Sequence, residues 1–359
     1  MPSDVQIKQF ELSEKDALLS FLRLAYPGEP RRSDPAFWKW HFLENPCAGP
    51  NDIPLWLVKA GDDIVGQMAT IPFNLKVGEA EERALWSIDF IVFPEYRGRG
   101  LGKRLVQAAH ETHWQSMMEL GHNEQSGAVF RNLDWASLGT INRYHKLLFP
   151  GDAIREVSRL APVRYLANLI YAPFRPNLTV LSEVRGTLRE VSSFDSSFDD
   201  LWREARVQWP CAAVRNSQFL EWQYLKQPGK KFDVLGFYED DCLLGYVVLF
   251  FRKAEPGGVL SKAAITDICY RATNSQAVID ALLQGALQLA VERRAGGMVT
   301  DILDARVEQR LHHFGFWRIK KAPPFMVKTA EQQNLMYERK NWFLTRGDAD
   351  ISIFEEPNL

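Results

Sequence analysis

The amino-acid sequence predicts an α/β (α+β) fold built twice along the chain, each unit a mixed, mostly antiparallel sheet flanked by helices. The chain has 359 residues, which is long for one hydrophobic core. It repeats weakly at an offset of 182 residues, and in both copies strand patterns lead into one long amphipathic helix. Apolar residues make up 46% and charged residues 25%, as in ordinary globular proteins.

The repeat is clearest in an aromatic segment. Residues 37–46 (FWKWHFLENP) match residues 219–228 (FLEWQYLKQP), and aromatic residues or proline coincide at four positions. Two strands joined by an acidic turn follow each copy, and each pair predicts a β-hairpin. The strands are 55–58 and 67–73 in the first copy, and 232–238 and 246–251 in the second.

A strand that carries a single acid comes next in each copy, at Asp89 and at Asp267. The helix predicted after it runs from 102 to about 120 in the first copy and from 275 to about 294 in the second. Because several matches occur in the same order, they indicate a duplication better than one match would.

The repeat also gives the expected domain boundaries. We expect a first domain, a proline-punctuated linker that packs on a domain, a second domain, and a tail that docks through a strand near 341–345. These segments are 1–155, 156–187, 188–330 and 331–359, respectively.

Charge and cysteine usage limit the classes of partner and compartment. The net charge of −2 predicts no general attraction to nucleic acid or to an anionic membrane. No signal peptide and no apolar run of about 20 residues stands out, so we expect no membrane span. The cysteines lack metal-binding or redox spacing, which favours reduced thiols in a cytoplasmic protein. They are Cys47, Cys211, Cys242 and Cys269.

The most informative segment is 91–104 (IVFPEYRGRGLGKR), where an apolar strand ends at a proline and a glycine-rich turn leads into a helix. Gly98, Gly100 and Gly102 let the backbone approach a ligand closely. A helix N-terminus offers unpaired N–H donors and partial positive charge to a phosphate.

Other glycine motifs fit this segment less well. A dinucleotide fold needs G-x-G-x-x-G after a first strand, with an acid about 20 residues later. A Walker A loop needs four residues between its glycines and a hydroxyl after the lysine, whereas three residues separate Gly98 from Gly102 and Arg104 follows Lys103. An RGG-type RNA segment would lie in low-complexity sequence.

Residues 97–102 (RGRGLG) resemble the acyl-CoA-binding motif (Q/R)-x-x-G-x-(G/A) of the GNAT superfamily of N-acetyltransferases. A second motif of that family, N-x-x-A-x-x-(L)-Y-x-x-x-G-(F/W), is matched at Asn123 and Trp135. Phe130 replaces its tyrosine and Asp134 its glycine. The resemblance is strong over about 5–150 and concerns only the fold over about 188–330, where 271–276 lacks glycine. It implies a tandem, two-domain GNAT protein of the bacterial type.

The resemblance implies acetyl-CoA, or another acyl-CoA, as co-substrate. The glycine turn would hold the pyrophosphate with help from neighbouring cations, and the preceding strand would hold pantetheine together with Asn123. No metal is implied, since His110 and His113 fit a solvated helix face better than a metal site. The cofactor residues expected are Ile91, Val92, Phe93, Arg97, Gly98, Arg99, Gly100, Leu101, Gly102, Lys103 and Asn123.

Acyl transfer to an amine also needs proton acceptors and donors. Asp89 is the candidate base, with Ser87 placed to hydrogen-bond it on the same strand face. The alternative is a structural acid that caps a backbone N–H or pairs with an arginine, which Asp267 in the degenerate copy favours. Tyr144 is the candidate acid in place of the missing tyrosine. Tyr96 and His145 are substitutes by type, and water could instead protonate the thiolate.

The sequence therefore predicts an acyl-CoA-dependent N-acyltransferase that acetylates a primary amine on a small molecule or amino sugar. Two alternatives remain open at this point: a non-catalytic acyl-CoA sensor, and an aminoacyl-tRNA-dependent transferase of related fold. We expect either a monomer with an internal pseudo-dimer or a homodimer.

Overall fold

A computed structural model describes residues 5–49, 53–112, 114–153, 161–172, 185–252, 262–330 and 334–354. Most of the predicted linker and both ends of the predicted tail, together with His113, lie outside these residues.

The helices of the described residues are α1 Lys15–Ala25, α2 Pro35–Phe42, α3 Leu101–His110, α4 Glu124–Arg131, α5 Pro150–Ala153, α6 Ala161–Tyr171, α7 Ser196–Ala205, α8 Ser217–Leu220, α9 Ser275–Glu292, α10 Ala305–His313 and α11 Ile351–Phe354. The strands are β1 Val5–Gln9, β2 Leu55–Ala60, β3 Asp63–Val77, β4 Ala80–Val92, β5 Ser116–Leu120, β6 Ala136–Thr140, β7 Asn142–Leu147, β8 Thr187–Glu190, β9 Cys211–Ala213, β10 Phe232–Glu239, β11 Cys242–Arg252, β12 Lys262–Tyr270, β13 Gly297–Leu303, β14 Trp317–Ile319, β15 Pro324–Thr329 and β16 Trp342–Thr345.

These strands form one continuous sheet in the order β6-β15-β5-β4-β3-β9-β16-β13-β12-β11-β10-β8. Strand β2 pairs with β3 and β1, and β7 pairs with β13 and β14. Among the described pairs, only β4–β5, β12–β13 and β9–β16 are parallel. The predicted fold class, a mixed α/β fold with a mostly antiparallel sheet, is confirmed.

Both predicted hairpins are present. Strands β2 and β3 pair antiparallel in the first half of the chain, and β10 and β11 do so in the second. The helix predicted from 275 is also present as α9. Each half thus has two antiparallel strands leading to an acid-bearing strand, β4 or β12, which pairs in parallel with the strand after its helix.

The helix predicted from 102 to about 120 is wrong in its second half. Helix α3 ends at His110, and Ser116–Leu120 form the strand β5, which is buried along its whole length. A parallel strand covered on both faces has no polar–apolar alternation, so its pattern resembles that of a buried helix. Methionine, glutamate and leucine also favour helix, which adds to the ambiguity.

The two halves exchange a strand. Strand β7 lies at the end of the first half and pairs antiparallel with β13 of the second, from Leu147 opposite Gly297 to Asn142 opposite Ile302. Strand β15, which lies at the corresponding place in the second half, pairs antiparallel with β5 of the first. These two pairings join the halves reciprocally.

The repeated aromatic segments meet where the halves touch. The Trp40 indole N–H donates to the Trp222 carbonyl at 2.9 Å, and the Trp222 indole N–H donates to the Trp40 carbonyl at 3.0 Å. Their rings stack with centroids 4.7 Å apart. The helix caps repeat as well, because Asp34 caps α2 and Asn216 caps α8 at the same offset. Trp40 and Trp222, which are 182 residues apart, thus make equivalent hydrogen bonds to each other.

The tail residues connect the halves. The strand predicted near 341–345 is present as β16, which pairs antiparallel with β13 and parallel with β9. Strand β9 in turn pairs with the end of β3. Residues 342–345 therefore complete the sheet between the two halves.

Candidate functional site

The predicted phosphate loop lies between β4 and α3. A short turn, Pro94–Tyr96, ends the strand, and the backbone is left-handed at Gly98 (φ 76°) and Gly100 (φ 73°). A Cβ atom at either glycine would meet nothing within 4 Å in the described structure. Conformation rather than space therefore requires glycine at these two positions.

Helix α3 begins with unpaired donors that point out of the loop. Gly100 is its N-cap and supplies no side-chain acceptor, while the Arg104 N–H reaches the Gly100 carbonyl at 3.1 Å. The N–H groups of Leu101, Gly102 and Lys103 precede Arg104, the first intrahelical donor, so helix geometry leaves them without an intrahelical partner. Together with the helix dipole, they form an anion-binding end.

Packing fixes this end of α3 against the sheet. Leu101 is buried. A Cβ atom on Gly102 would lie 3.1 Å from Cζ of Phe90 and 3.7 Å from a methyl of Val129 in α4. Gly102 thus lets α3 approach β4 and α4 closely, whereas Lys103 is exposed at the rim of the loop.

The two arginines of the loop hold it to its own backbone. The Arg97 side-chain Nε–H donates to the Val92 carbonyl at 2.8 Å, and an Arg99 guanidinium N–H donates to the Glu95 carbonyl at 3.2 Å. Both residues are exposed. Each therefore brings positive charge beside the helix N-terminus while stabilising the turn.

Strand β4 parts from β5 beside this loop. The two strands pair from Ala84 opposite Ser116 to Ser87 opposite Glu119, and no further pairing between them is present. On its other edge β4 stays paired with β3 as far as Val92 opposite Gly66. In the described structure, the β5-side edge of residues 88–92, including Ile91 and Val92, therefore has no strand partner. Phe93 follows as the strand turns into the loop.

A β-bulge lies where the strands part. The β3–β4 register shifts between Gln67 and Ala69, and Asp89 takes a left-handed conformation with φ 47°. The bulge turns Asp89 to the face on which it pairs with Arg32 rather than the Ser87 face. The expected Ser87–Asp89 hydrogen bond is therefore not formed, and the buried Ser87 hydroxyl has no hydrogen-bond partner among the described residues.

The acid–arginine pair occurs in both halves. Arg215, just before α8, contacts Asp267 at 3.2 Å, as Arg32, just before α2, contacts Asp89. The second-half pair is nearly inaccessible and is joined by Asp348, which accepts from Arg215 at 2.8 Å. Asp267 is thus fully surrounded by partners. A catalytic role for Asp89 stays a prediction, beside the structural ion pair that it makes.

Tyr144 lies away from the loop. It sits in β7 opposite Thr300 of β13, packs in the hydrophobic core of the second half, and donates its hydroxyl to Glu308 at 2.9 Å. Burial and the nearby Glu308 raise the pKa of the Tyr144 hydroxyl. The structure does not bring Tyr144 together with Asp89 or with the phosphate loop.

The second predicted motif begins helix α4. Asn123 is its N-cap, and the side-chain oxygen accepts the Ser126 N–H at 2.9 Å. Phe130 is fully buried, with its ring 4.6 Å from that of Trp135 and 5.7 Å from that of Phe90. The position of the family tyrosine is therefore part of the apolar core.

Sequence reasoning missed two buried groups near the bulge. Glu119, the last residue of β5 paired with β4, has a pKa raised well above its usual range because it is buried and because Asp350 is nearby. His41 of α2 is also buried, and its pKa is lowered to about 3. The sequence signals for these two groups were a lone acid in the apolar run 116–120 and a histidine among aromatic residues. Both signals also fit ordinary core positions.

The described residues contain no group of three or more His, Cys, Asp or Glu side chains that could hold a metal ion. The helices of the same part of the chain include none long and apolar enough to cross a membrane.

Residues 6–120, about a third of the chain, match the acetyltransferase (GNAT) domain family. This match covers the bulged strand, the glycine loop and α3. No curated protein sequence matches the chain.

Solved structures resemble the chain over most of its length. One is a probable N-acyltransferase from Enterococcus faecalis, with a TM-score of 0.62, 14% identity, and coverage of 93% of this chain and 74% of that one. A GCN5-related N-acetyltransferase from Anabaena variabilis has a TM-score of 0.63 and 14% identity, with coverage of 93% of this chain and 75% of that one. N-myristoyltransferase from Saccharomyces cerevisiae, with bound myristoyl-CoA, has a TM-score of 0.61 and 10% identity, with coverage of 91% of this chain and 83% of that one. At these identities the likeness concerns the fold.

Proposed function

We propose that the chain is an acyl-CoA-dependent N-acyltransferase whose acyl-CoA site lies in its first half. One observation carries the proposal: two left-handed glycines, Gly98 and Gly100, present the bare N-terminus of α3 at the point where β4 loses its second strand partner. An anion-binding end and an open strand edge therefore lie side by side. The match of residues 6–120 to the GNAT domain supports the same reading.

The residues present fit coenzyme A. The N–H groups from Gly98 to Lys103 would bind the pyrophosphate, with Arg97, Arg99 and Lys103 adding charge. The free edge of Ile91, Val92 and Phe93 can hydrogen-bond a chain that carries amides, as pantetheine does. Asn123 keeps a side-chain N–H₂ group available to the same ligand while its oxygen caps α4.

The bound thioester supplies an acyl carbon that an amine can attack. The amine nitrogen forms the new N–C bond, the C–S bond breaks, and its electron pair leaves with the thiolate. Backbone N–H groups at the bulge, from Phe90 to Val92, would stabilise the oxyanion. Asp89 would accept the proton that the nitrogen loses, and water would protonate the thiolate.

The described residues of the second half differ at the corresponding place. Strand β16 fills the corresponding gap, since β13 pairs with β12 only from Gly297 to Thr300 and then with β16 at Ile302 and Leu303. We therefore propose a tandem arrangement, with one domain that binds acyl-CoA and one that does not. The acceptor would be a small-molecule primary amine or an amino sugar, and the four free cysteines fit a reducing, cytoplasmic location.

A thiol-release assay with acetyl-CoA and a panel of primary amines tests the proposal. We expect coenzyme A release above background with wild type and none with the double variant Arg97→Glu, Gly100→Asp. The control is Arg271→Glu with Asn274→Asp, which makes the same charge change at the corresponding turn before α9 and should keep wild-type activity. Acetyl-CoA binding without release for any amine would instead identify an acyl-CoA sensor.

A further inference from the structure

A small cavity of about 10 Å³ lies beneath the β4 bulge, which is about the space of one water molecule or one amino group. Its polar lining comes from Arg32 before α2, His41 in α2, Gln67 in β3 and Asp89 in β4. Apolar side chains of α1, α2 and β2 close the rest. The cavity therefore adjoins the strand residue at which β4 parts from β5.

Several buried polar atoms around this cavity lack a hydrogen-bond partner. Within the described structure they are both ring nitrogens of His41, Oε1 of Gln67 and Nε1 of Trp38. All three residues are about 1% exposed. A buried polar group without a partner costs about 1–3 kcal/mol, so such a cluster is expected at a site that binds a polar group.

The second half of the chain shows the same positions with their partners in place. Gln223, which lies 182 residues after His41, donates to the Gly347 carbonyl at 3.1 Å. Tyr246 follows the strand glycine as Gln67 does in the first half, and donates to Asp267 at 3.0 Å. Gly347 of the tail and Asp267 of β12 thus satisfy these two positions in the second half, whereas the described residues leave His41 and Gln67 of the first half without a hydrogen-bond partner for the atoms named above.

The charges around His41 decide which form of a ligand fits. Burial, Arg32 and Arg31 lower the pKa of His41, so the imidazole is neutral and keeps one acceptor nitrogen. The positive charges of Arg31 and Arg32 also disfavour a protonated, cationic amine in the cavity, although the Asp89 carboxylate offsets them in part. A neutral amine has two N–H donors for the acceptors of His41 and Gln67, and its lone pair remains available.

We propose that this cavity binds the amino group of the acceptor as the neutral amine, held by His41 and Gln67 beside Asp89. The inference rests on the proposed function, and it names the part of the acceptor that enters the protein.

The test uses 2,2,2-trifluoroethylamine, a primary amine of low basicity, with full-length protein saturated with coenzyme A so that no turnover occurs. Fluorine NMR measures its binding, and ¹⁵N-histidine NMR follows the ring nitrogens, with His41 assigned from His41→Gln. We expect the amine to shift the His41 resonances and trifluoroethanol to leave them unchanged. Gln67→Leu should weaken amine binding tenfold or more, whereas His313→Gln, at an exposed histidine, should not.

Two results would overturn the inference. One is an amine that leaves the His41 resonances of wild type unchanged. The other is equal amine affinity in wild type and Gln67→Leu. Calorimetry with acetyl-CoA separates this failure from that of the proposed function, because wild type that binds acetyl-CoA but not the amine refutes the cavity alone. Wild type that fails to bind acetyl-CoA refutes the proposed function.

Discussion

Replacing Gly100 by alanine tests whether backbone conformation, rather than space, shapes the phosphate loop. Gly100 has φ 73°, and a Cβ there would meet no described atom within 4 Å. An L-residue in this conformation costs about 1–2 kcal/mol relative to glycine. We therefore expect Gly100→Ala to lower the free energy of unfolding by about 1 kcal/mol, and to weaken acetyl-CoA binding because the α3 N-terminus is held less well.

The control is Gly100→Asn, because asparagine adopts the left-handed region more readily than alanine although it is larger. Urea unfolding gives the free energies, and calorimetry gives the acetyl-CoA affinities. If backbone conformation decides, the asparagine variant loses less stability than the alanine variant. A loss that grows with side-chain size, larger for asparagine than for alanine, would refute the reasoning.

Three further predictions follow from the structure. Asp89→Asn should reduce the rate of acetyl transfer about 10²-fold or more if Asp89 is the base, which thiol-release kinetics measure. Asp267→Asn should instead lower the free energy of unfolding by about 3–5 kcal/mol, because Arg215 would lose a buried partner, and urea denaturation measures this loss. The pKa of His41 is about 3 in the folded protein, below its ordinary 6.5, so the free energy of unfolding should fall as the pH drops from 6.5 toward 3. His41→Gln should lower the number of protons taken up on unfolding near pH 5 by about one, which urea unfolding at several pH values measures. Leu166→Glu with Leu169→Glu should change the melting temperature by less than about 2 °C, because these α6 side chains are 54% and 57% exposed; a larger loss would support a linker that packs on a domain.

Local patterns in the sequence predicted much of this molecule. The alternating segments predicted both hairpins. The run from Pro94 to Gly102 predicted the turn and the start of α3, because proline fixes φ and glycine permits positive φ. The fold class followed from the order of these elements. The two-domain division and the roles of the site residues stay predictions.

What the sequence did not reveal depends on contacts between distant residues. Nothing local distinguishes a buried parallel strand such as 116–120 from a helix, and nothing local indicates that β7 and β15 pair across the halves. The bulge at Asp89 reverses the face of the strand, so strict alternation assigned the wrong neighbour to Ser87. The location of Tyr144 follows from the same strand exchange.

Calorimetric titration of the 359-residue chain with acetyl-CoA tests whether the first-half loop is the acyl-CoA site. We expect one bound molecule per chain, and loss of binding in the double variant Arg97→Glu, Gly100→Asp with the fold retained by circular dichroism. Two bound molecules per chain would contradict the proposal that β16 closes the corresponding gap of the second half. Wild-type affinity in the double variant, or no binding by wild type, would contradict the assignment of the first-half loop.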